Sequence, residues 1–331
     1  MKTNTMKAIV ATGYGSPDVL KLKEVDIPKP KDREVLIKIY ASSATAADQM
    51  MRAGKPYFGR LFTGIRKPNH PIPGTGFAGK VVAVGKDVIA FQVGERVFGE
   101  TTLGFSTNAE FVAVPENGVI LPMPENMSYV EAAPFCDGHL TSLNFLKNIA
   151  QIRPGQKILV NGASGSLGTA AIQLAKYFKA EVTGACSGRN IGLVKSLGAN
   201  HVIDYTSEEI LNENQTYDII YDTVGNLTFE MAKCALSNNG KFISPVLQFP
   251  LLVNMIRTSL FSKKKAKFAA TGLKSDKELR VLLAELLKIY ESGHLKTIID
   301  RQYTLEKLSM AHHYITKGHK KGNVVIAIHP Y

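Results

Sequence analysis

At 331 residues, with 45% apolar and 21% charged side chains, the chain is long enough for two hydrophobic cores, and its composition excludes a disordered or fibrous protein. No apolar run reaches the ~18–20 residues of a membrane helix, and the opening MKTNTMKAIV is too short and too weakly apolar for a signal peptide, so a cytoplasmic protein is expected. The net charge of +12 raises nucleic acid as a partner, but the cations are scattered. The single dense block, Lys263, Lys264, Lys265 and Lys267, lacks interleaved aromatics and reads as a solvated surface run, so no nucleic acid is expected.

The first 125 residues are β-rich in pattern. VLIKIYASS, GKVVAVG, ERVFGET and AEFVAVPE are short β-branched or alternating runs broken by Gly and Pro. Between the first two lies Gly54–Gly74, a long Gly/Pro-rich stretch of the kind that is functional or mobile in compact domains. From Met127 the pattern becomes strand–helix–strand. QKILVNG, SLGTAAIQLAKYFK, AEVTGACS, NIGLVKSLGA, HVIDY, YDIIYDTVG and GKFIS follow in turn. Apolar strands alternating with helices predict a parallel sheet covered on both faces, the doubly wound nucleotide-binding arrangement. An amphipathic helix is predicted over Asp276–Ser292, and a last strand at NVVIAIH.

The segment Asn161–Gly168, NGASGSLG, follows a predicted strand and opens a predicted helix. Glycines at 162, 165 and 168 permit a tight turn and close backbone approach, and the helix N–H groups beyond can hold a pyrophosphate. The candidate cofactor residues here are Gly162, Ala163, Ser164, Gly165, Ser166, Leu167 and Gly168. An NAD site usually ends its second strand in Asp or Glu for the ribose 2′-hydroxyl. Here that place reads Cys186-Ser187-Gly188-Arg189-Asn190. Ser187 and Arg189 suit a 2′-phosphate, which a carboxylate would repel, so NADPH is expected.

With these blocks in place the chain resembles the medium-chain dehydrogenase/reductase superfamily, in its zinc-free quinone oxidoreductase and alkenal/enone reductase branch, and within that the reticulon-4-interacting-protein group. MKAIVATGYGSPDVLKLKEVDIPKP is similar to the family's opening strands, and PIPGTGFAGKVVAVG to its PxPGxDxAGxVxxVG segment. RPGQKILVNGASGSLGTAAIQLAK, VKSLGANHVIDY and GHKKGNVVIAI match further blocks. The resemblance implies an α/β chain: a GroES-like β-rich catalytic domain built from both chain ends, with an inserted doubly wound Rossmann domain and the active site in the cleft between them. The boundaries expected are 1–126, 127–270 and 271–331. It also implies a nicotinamide near Thr141, Tyr205 beside the 2′-phosphate, and the loop Ser244–Leu247 at the carboxamide, through Val246 and Leu247. Asp48, Asn190, Val224 and Asn323 complete the implied cofactor set, and a homodimer is the family expectation.

Two departures bear on chemistry. Zinc alcohol dehydrogenases carry a Cys near ASSATAAD and a Gly-His-Glu in PGTGFAG, where this chain has Thr45 and Thr75-Gly76. The four-cysteine structural lobe is absent too. Cys136, Cys186 and Cys234 form no CxxC pair, and the lone Cys136…His139 spacing has no further partners, so no metal is expected. The quinone reductase VNPxD segment reads Thr45-Ala46-Ala47-Asp48 here, which removes a substrate- or cofactor-facing amide. Hydride transfer without a Lewis acid needs an electron-poor acceptor, a quinone or an α,β-unsaturated carbonyl. Tyr57 and Thr45 are the candidate donors to the developing oxyanion. His70 is a weaker candidate, and Asp48 and Asp222 are expected to orient backbone groups. The competing readings are a non-catalytic NADPH sensor or nucleic-acid-binding relative, and a zinc alcohol dehydrogenase.

Overall fold

The computed structural model describes residues 4–55, 57, 60–211, 215–318 and 320–329. The chain divides into two compact units. One comprises Met1–Asp137, Gly272–Ala284 and Ile299–Tyr331; the other comprises Gly138–Thr271 and Glu285–Ile298. The first division therefore falls at 137/138, eleven residues beyond the expected boundary at 126/127. Residues 285–298 join the second unit, whereas the 271–331 segment implied by the resemblance includes them in the first.

In the first unit, β1 (Thr5–Ala11) and β2 (Leu20–Asp26) form an antiparallel pair. The main sheet contains β3 (Glu34–Ala44), β4 (Gly76–Val84), β5 (Arg96–Glu100), β6 (Phe111–Pro115) and β7 (Val119–Pro122). β3 carries Val35, Ile37 and Ile39, all fully buried, at every second position, which is how one face of a strand feeds a core. They pack with Phe77, Val81, Val97, Val112, Val114 and Ile120. The helix Ala46–Ala53 follows β3 directly, and the Arg60–Thr63 turn lies inside the expected long loop.

The second unit contains β8 (Lys157–Asn161), β9 (Glu181–Cys186), β10 (His201–Asp204), β11 (Tyr217–Asp222), β12 (Leu236–Ser244) and β13 (Lys265–Phe268). Every pairing among them is parallel, in the order β10-β9-β8-β11-β12-β13. This is the doubly wound order, reversing direction between β8 and β11, where such sheets bind ligands at the carboxyl ends of their strands. β8 and β11 bury nearly every residue, as a sheet covered on both faces requires.

Two features here were not read from the sequence. Phe249–Phe261 is a helix, and the lysine block continues into β13, the edge strand of the sheet. The reading of that block as a solvated run is therefore corrected for two of its members. The Lys265 ammonium donates to the carbonyls of Thr258 and Ser259, and that of Lys267 to the carbonyl of Ile149. Their stems lie along the sheet edge, where lysines also discourage strand addition.

In the last part of the chain, β14 (Ile299–Thr304) pairs in parallel with β15 (Asn323–Ala327), and β15 pairs antiparallel with β3. Both chain ends thus contribute to the first unit's sheet. The predicted helix runs Asp276–Glu291.

Candidate functional site

In the second unit the glycine turn occupies the carboxyl end of β8. Gly162 has φ +76°, a left-handed conformation, and a Cβ there would lie 2.5 Å from Thr223 Oγ1 and Val224 Cγ2. A Cβ on Gly168 would lie 2.2 Å from the Gly162 carbonyl oxygen, so only glycine lets the helix Ser166–Tyr177 approach the turn this closely. Gly165 is that helix's N-cap, and no side chain caps it, which leaves its first turn as an anion-binding end. The segment after Asp137 packs against the same turn. Gly138 leaves no room for a Cβ beside Ser166, and Ser142 Oγ donates to the Leu167 carbonyl at 2.9 Å. Thr141 is thereby held on the short helix Leu140–Leu143 near the glycine turn.

The end of β9 is tied to the turn by one side chain. Asn190 is buried, and its Nδ2 donates to Ser164 Oγ at 2.9 Å and to Ser187 Oγ at 3.3 Å. Its Oδ1 is buried with no hydrogen-bond partner among the described residues, an acceptor suited to a sugar hydroxyl. Arg189, beside it, is exposed.

The β9–β10 register places Asp204 opposite Cys186. A carboxylate therefore does stand beside the end of β9, contributed by the third strand of the unit. It accepts from the Thr206 hydroxyl at 2.6 Å and the Thr206 N–H at 3.0 Å, and from the Gly188 N–H. These bonds hold its pKa below the usual carboxylate value, so it stays charged. The parallel register was the signal that could have found it. Tyr205 follows at the strand end, partly exposed, its N–H on the Cys186 carbonyl.

Asp222, at the end of β11, is fully buried and orients backbone groups, as expected of it. It accepts from Asn161 Nδ2 at 2.8 Å and from the N–H groups of Val224, Gly225 and Leu227 at 3.1–3.2 Å. Asn161 also donates to Asn226 Oδ1, and Thr223 Oγ1 donates to the Asn161 carbonyl. This network, which the sequence reading missed apart from Asp222 and Val224, fixes the 223–227 loop and presents Val224 to solvent. Gly225 approaches so closely that a Cβ would lie 2.7 Å from Val246, which brings the 245–248 loop to the same strand ends. Gln248 Nε2 closes that contact on the Gly225 carbonyl.

In the first unit, Thr45 is the N-cap of the helix Ala46–Ala53. Its hydroxyl donates to Asp48 Oδ2 at 2.8 Å and accepts from the Asp48 N–H, while Asp48 accepts in return from the Thr45 N–H. This reciprocal capping box buries both residues. Desolvation pushes the Asp48 carboxyl up to about 6, against the Thr45 hydrogen bonds that favour its charge. Tyr57 differs in every respect: it is 69% exposed, with the Arg60 guanidinium 5.0 Å from its ring. Arg60 also lies 4.5 Å from the Tyr14 ring. His70 lines a small apolar cavity with Tyr14, Asp48 and Phe105. Asn323 is buried at the start of β15. Among the described residues no three His, Cys, Asp or Glu side chains converge as a metal-holding group.

Residues 31–125 match the alcohol dehydrogenase GroES-like domain, and residues 197–326 a family described as zinc-binding dehydrogenase. Human quinone oxidoreductase is 30% identical over 324 residues, covering 95% of this chain and 94% of that protein. The 2-methylene-furan-3-one reductase of Solanum lycopersicum is 34% identical, covering 98% of this chain and 79% of its own length. The solved quinone oxidoreductase of Coxiella burnetii superposes with a TM-score of 0.87 at 26% identity, covering 98% of this chain and all of that one. A Rossmann-type unit with an open glycine turn, in one chain with a GroES-like unit, defines a nicotinamide-dependent oxidoreductase. This chain belongs to the quinone oxidoreductase branch of the medium-chain dehydrogenase/reductase superfamily.

Proposed function

We propose that this enzyme transfers hydride from NADPH to a quinone or an α,β-unsaturated carbonyl, without a metal. The observation that carries the cofactor choice is the cluster at the end of β9, where buried Asn190 joins Ser164 to Ser187 and Arg189 stands exposed beside them. Two hydroxyls and a guanidinium suit a phosphate. The charge on Asp204 opposes a 2′-phosphate, and Arg189 offsets it.

The bound nicotinamide supplies the hydride. The chain's own part is to bind and orient. The first turn of the helix Ser166–Tyr177 takes the pyrophosphate, the Asp222 network holds the 223–227 loop, and Asn190 Oδ1 accepts from a ribose hydroxyl. Metal independence is supported by the side chains at 45, 75 and 76, none of which is a usual zinc ligand, and by the lack of a ligand cluster among the described residues. An acceptor that is already electron-poor fits such a site. The names of the human and tomato relatives point to the same two substrate classes.

The test follows oxidation of NADPH and of NADH with a quinone and an alkenal, with and without chelator, for wild type and Arg189→Ala. Loss of one charge-assisted contact predicts a fall in kcat/KM for NADPH of about 10- to 100-fold. Rates with NADH should change by less than about twofold, and chelator should change neither. An equal loss with both cofactors removes the 2′-phosphate assignment, and chelator-sensitive turnover removes the metal-free mechanism.

A further inference from the structure

The helix Phe249–Phe261 is inside out for a surface helix. Its inward positions are Leu251, Asn254, Met255 and Thr258, two of them polar. Its outward positions carry Phe249, Leu252, Val253, Ile256 and Leu260, with Phe261 at the end. Phe249 is 79% exposed, Ile256 67%, Leu260 69% and Phe261 82%. Offsets of three, four, seven and eleven residues place the first five on one stripe. An ordinary amphipathic helix turns such a stripe inward. A contiguous apolar face left in water marks a docking surface.

Charge identifies what docks. From Phe249 to Lys267 the chain has five cations (Arg257, Lys263, Lys264, Lys265 and Lys267) and no Asp or Glu. Arg257 is paired with Glu230. Lys263 projects into solvent, and the Lys264 ammonium rests on the Lys233 carbonyl, which adds another cation nearby. A second copy docking face to face would bring the same five cations to the seam again, with no acid on the segment to receive them. An anionic lipid surface complements both features, because apolar side chains enter the headgroup boundary and lysines meet the phosphates. At 13 residues the helix is too short to cross a bilayer. We propose that the outward face of Phe249–Phe261, with the lysines that follow it, seats this protein on the surface of an anionic lipid bilayer.

The test is co-sedimentation of the full chain with phosphatidylcholine vesicles, with and without about 30 mol% phosphatidylglycerol. Wild type should partition onto the anionic vesicles at least about tenfold better than onto neutral ones, and salt should release it. Lys263→Gln with Lys264→Gln should weaken partitioning by about fivefold per lysine. Ile256→Ser with Leu260→Ser should weaken it by at least about tenfold through lost apolar burial. Both pairs should keep the wild-type melting profile. If the serine pair does not fold, the lysine pair decides. Failure of wild type to bind anionic vesicles overturns the proposal, as does undiminished binding by the folded variants. A drop in oligomer mass on Ile256→Ser with Leu260→Ser, with no vesicle binding by wild type, would assign the face to a second copy instead.

Discussion

Thr45 and Tyr57 carry hydroxyls in opposite circumstances, and that difference separates their roles. The Thr45 proton is already given to Asp48, and the oxygen caps a helix. Replacing it with Val leaves the Asp48 carboxyl, buried and raised to about 6, without its hydroxyl donor, and leaves the Asp48 N–H without its acceptor. Loss of such a cap costs about 1–2 kcal/mol, so Thr45→Val should lower Tm by several degrees. Tyr57 is exposed and its hydroxyl has no such structural duty among the described residues, so Tyr57→Phe should leave Tm within about 1 °C. If Tyr57 donates to the developing oxyanion, kcat falls by about tenfold or more while KM for NADPH is unchanged. Unchanged kcat in Tyr57→Phe removes Tyr57 from the mechanism. Reduced kcat in Thr45→Val at full stability would instead give that role to Thr45.

At the scale of elements, the glycine turn is where sequence and structure agree most closely, because its requirements are local. Gly162 needs φ +76°, and Gly168 leaves 2.2 Å for a Cβ. Gly168→Ala should force the helix Ser166–Tyr177 away from the turn, and NADPH affinity measured by nicotinamide fluorescence should drop by at least about tenfold. The helix itself should survive, since alanine is the better helix former. Strands β8, β9 and β11 were legible for a related reason, their buried apolar runs being bounded by Gly, Ser and Asp. The helix Phe249–Phe261 was not, because its apolar residues face outward and no inward stripe marks it. Nor was β13, whose four residues include two lysines that read as surface. Asp204 was missed because nearness to Arg189's turn comes from the β9–β10 register, a relation between strands that no single window contains. The Asp222 network was half legible: the acid was singled out, but its partners Asn161, Asn226 and Leu227 come from two strand ends brought together only by folding.

At the scale of the whole molecule, a half-buried carboxyl and a buried imidazole set opposite limits on stability against pH. Glu100, at the end of β5, lines an apolar cavity of about 350 Å³ with Met6, Val25, Phe105 and Phe111, and Asp276 lies on the same wall. Desolvation, with Asp137 and Asp276 nearby, pushes its carboxyl from 4.5 up to about 8. Between those values the native state keeps a proton that the unfolded chain releases, so rising pH favours unfolding and this contribution is lost by pH 8. His312, fully buried with neither ring nitrogen hydrogen-bonded among the described residues, runs the other way. Desolvation, with Arg52 and His313 adding to it, lowers its pKa to about 3. Below pH 6.5 the unfolded chain binds a proton that the native state refuses, so stability falls as pH drops toward 3. Stability limited by these two groups should peak between about pH 5 and 6.5 and decline on both sides. Glu100→Gln keeps the shape and hydrogen-bonding capacity of the neutral acid but cannot ionise. It should therefore flatten the decline above the peak and raise Tm at pH 8 by about 2 °C or more, with little change at pH 5. His312→Leu should flatten only the acid side. Thermal melts of the three proteins from pH 4 to pH 9 distinguish these effects, and a Glu100→Gln curve that parallels wild type throughout would mean that Glu100 is already ionised in the native protein.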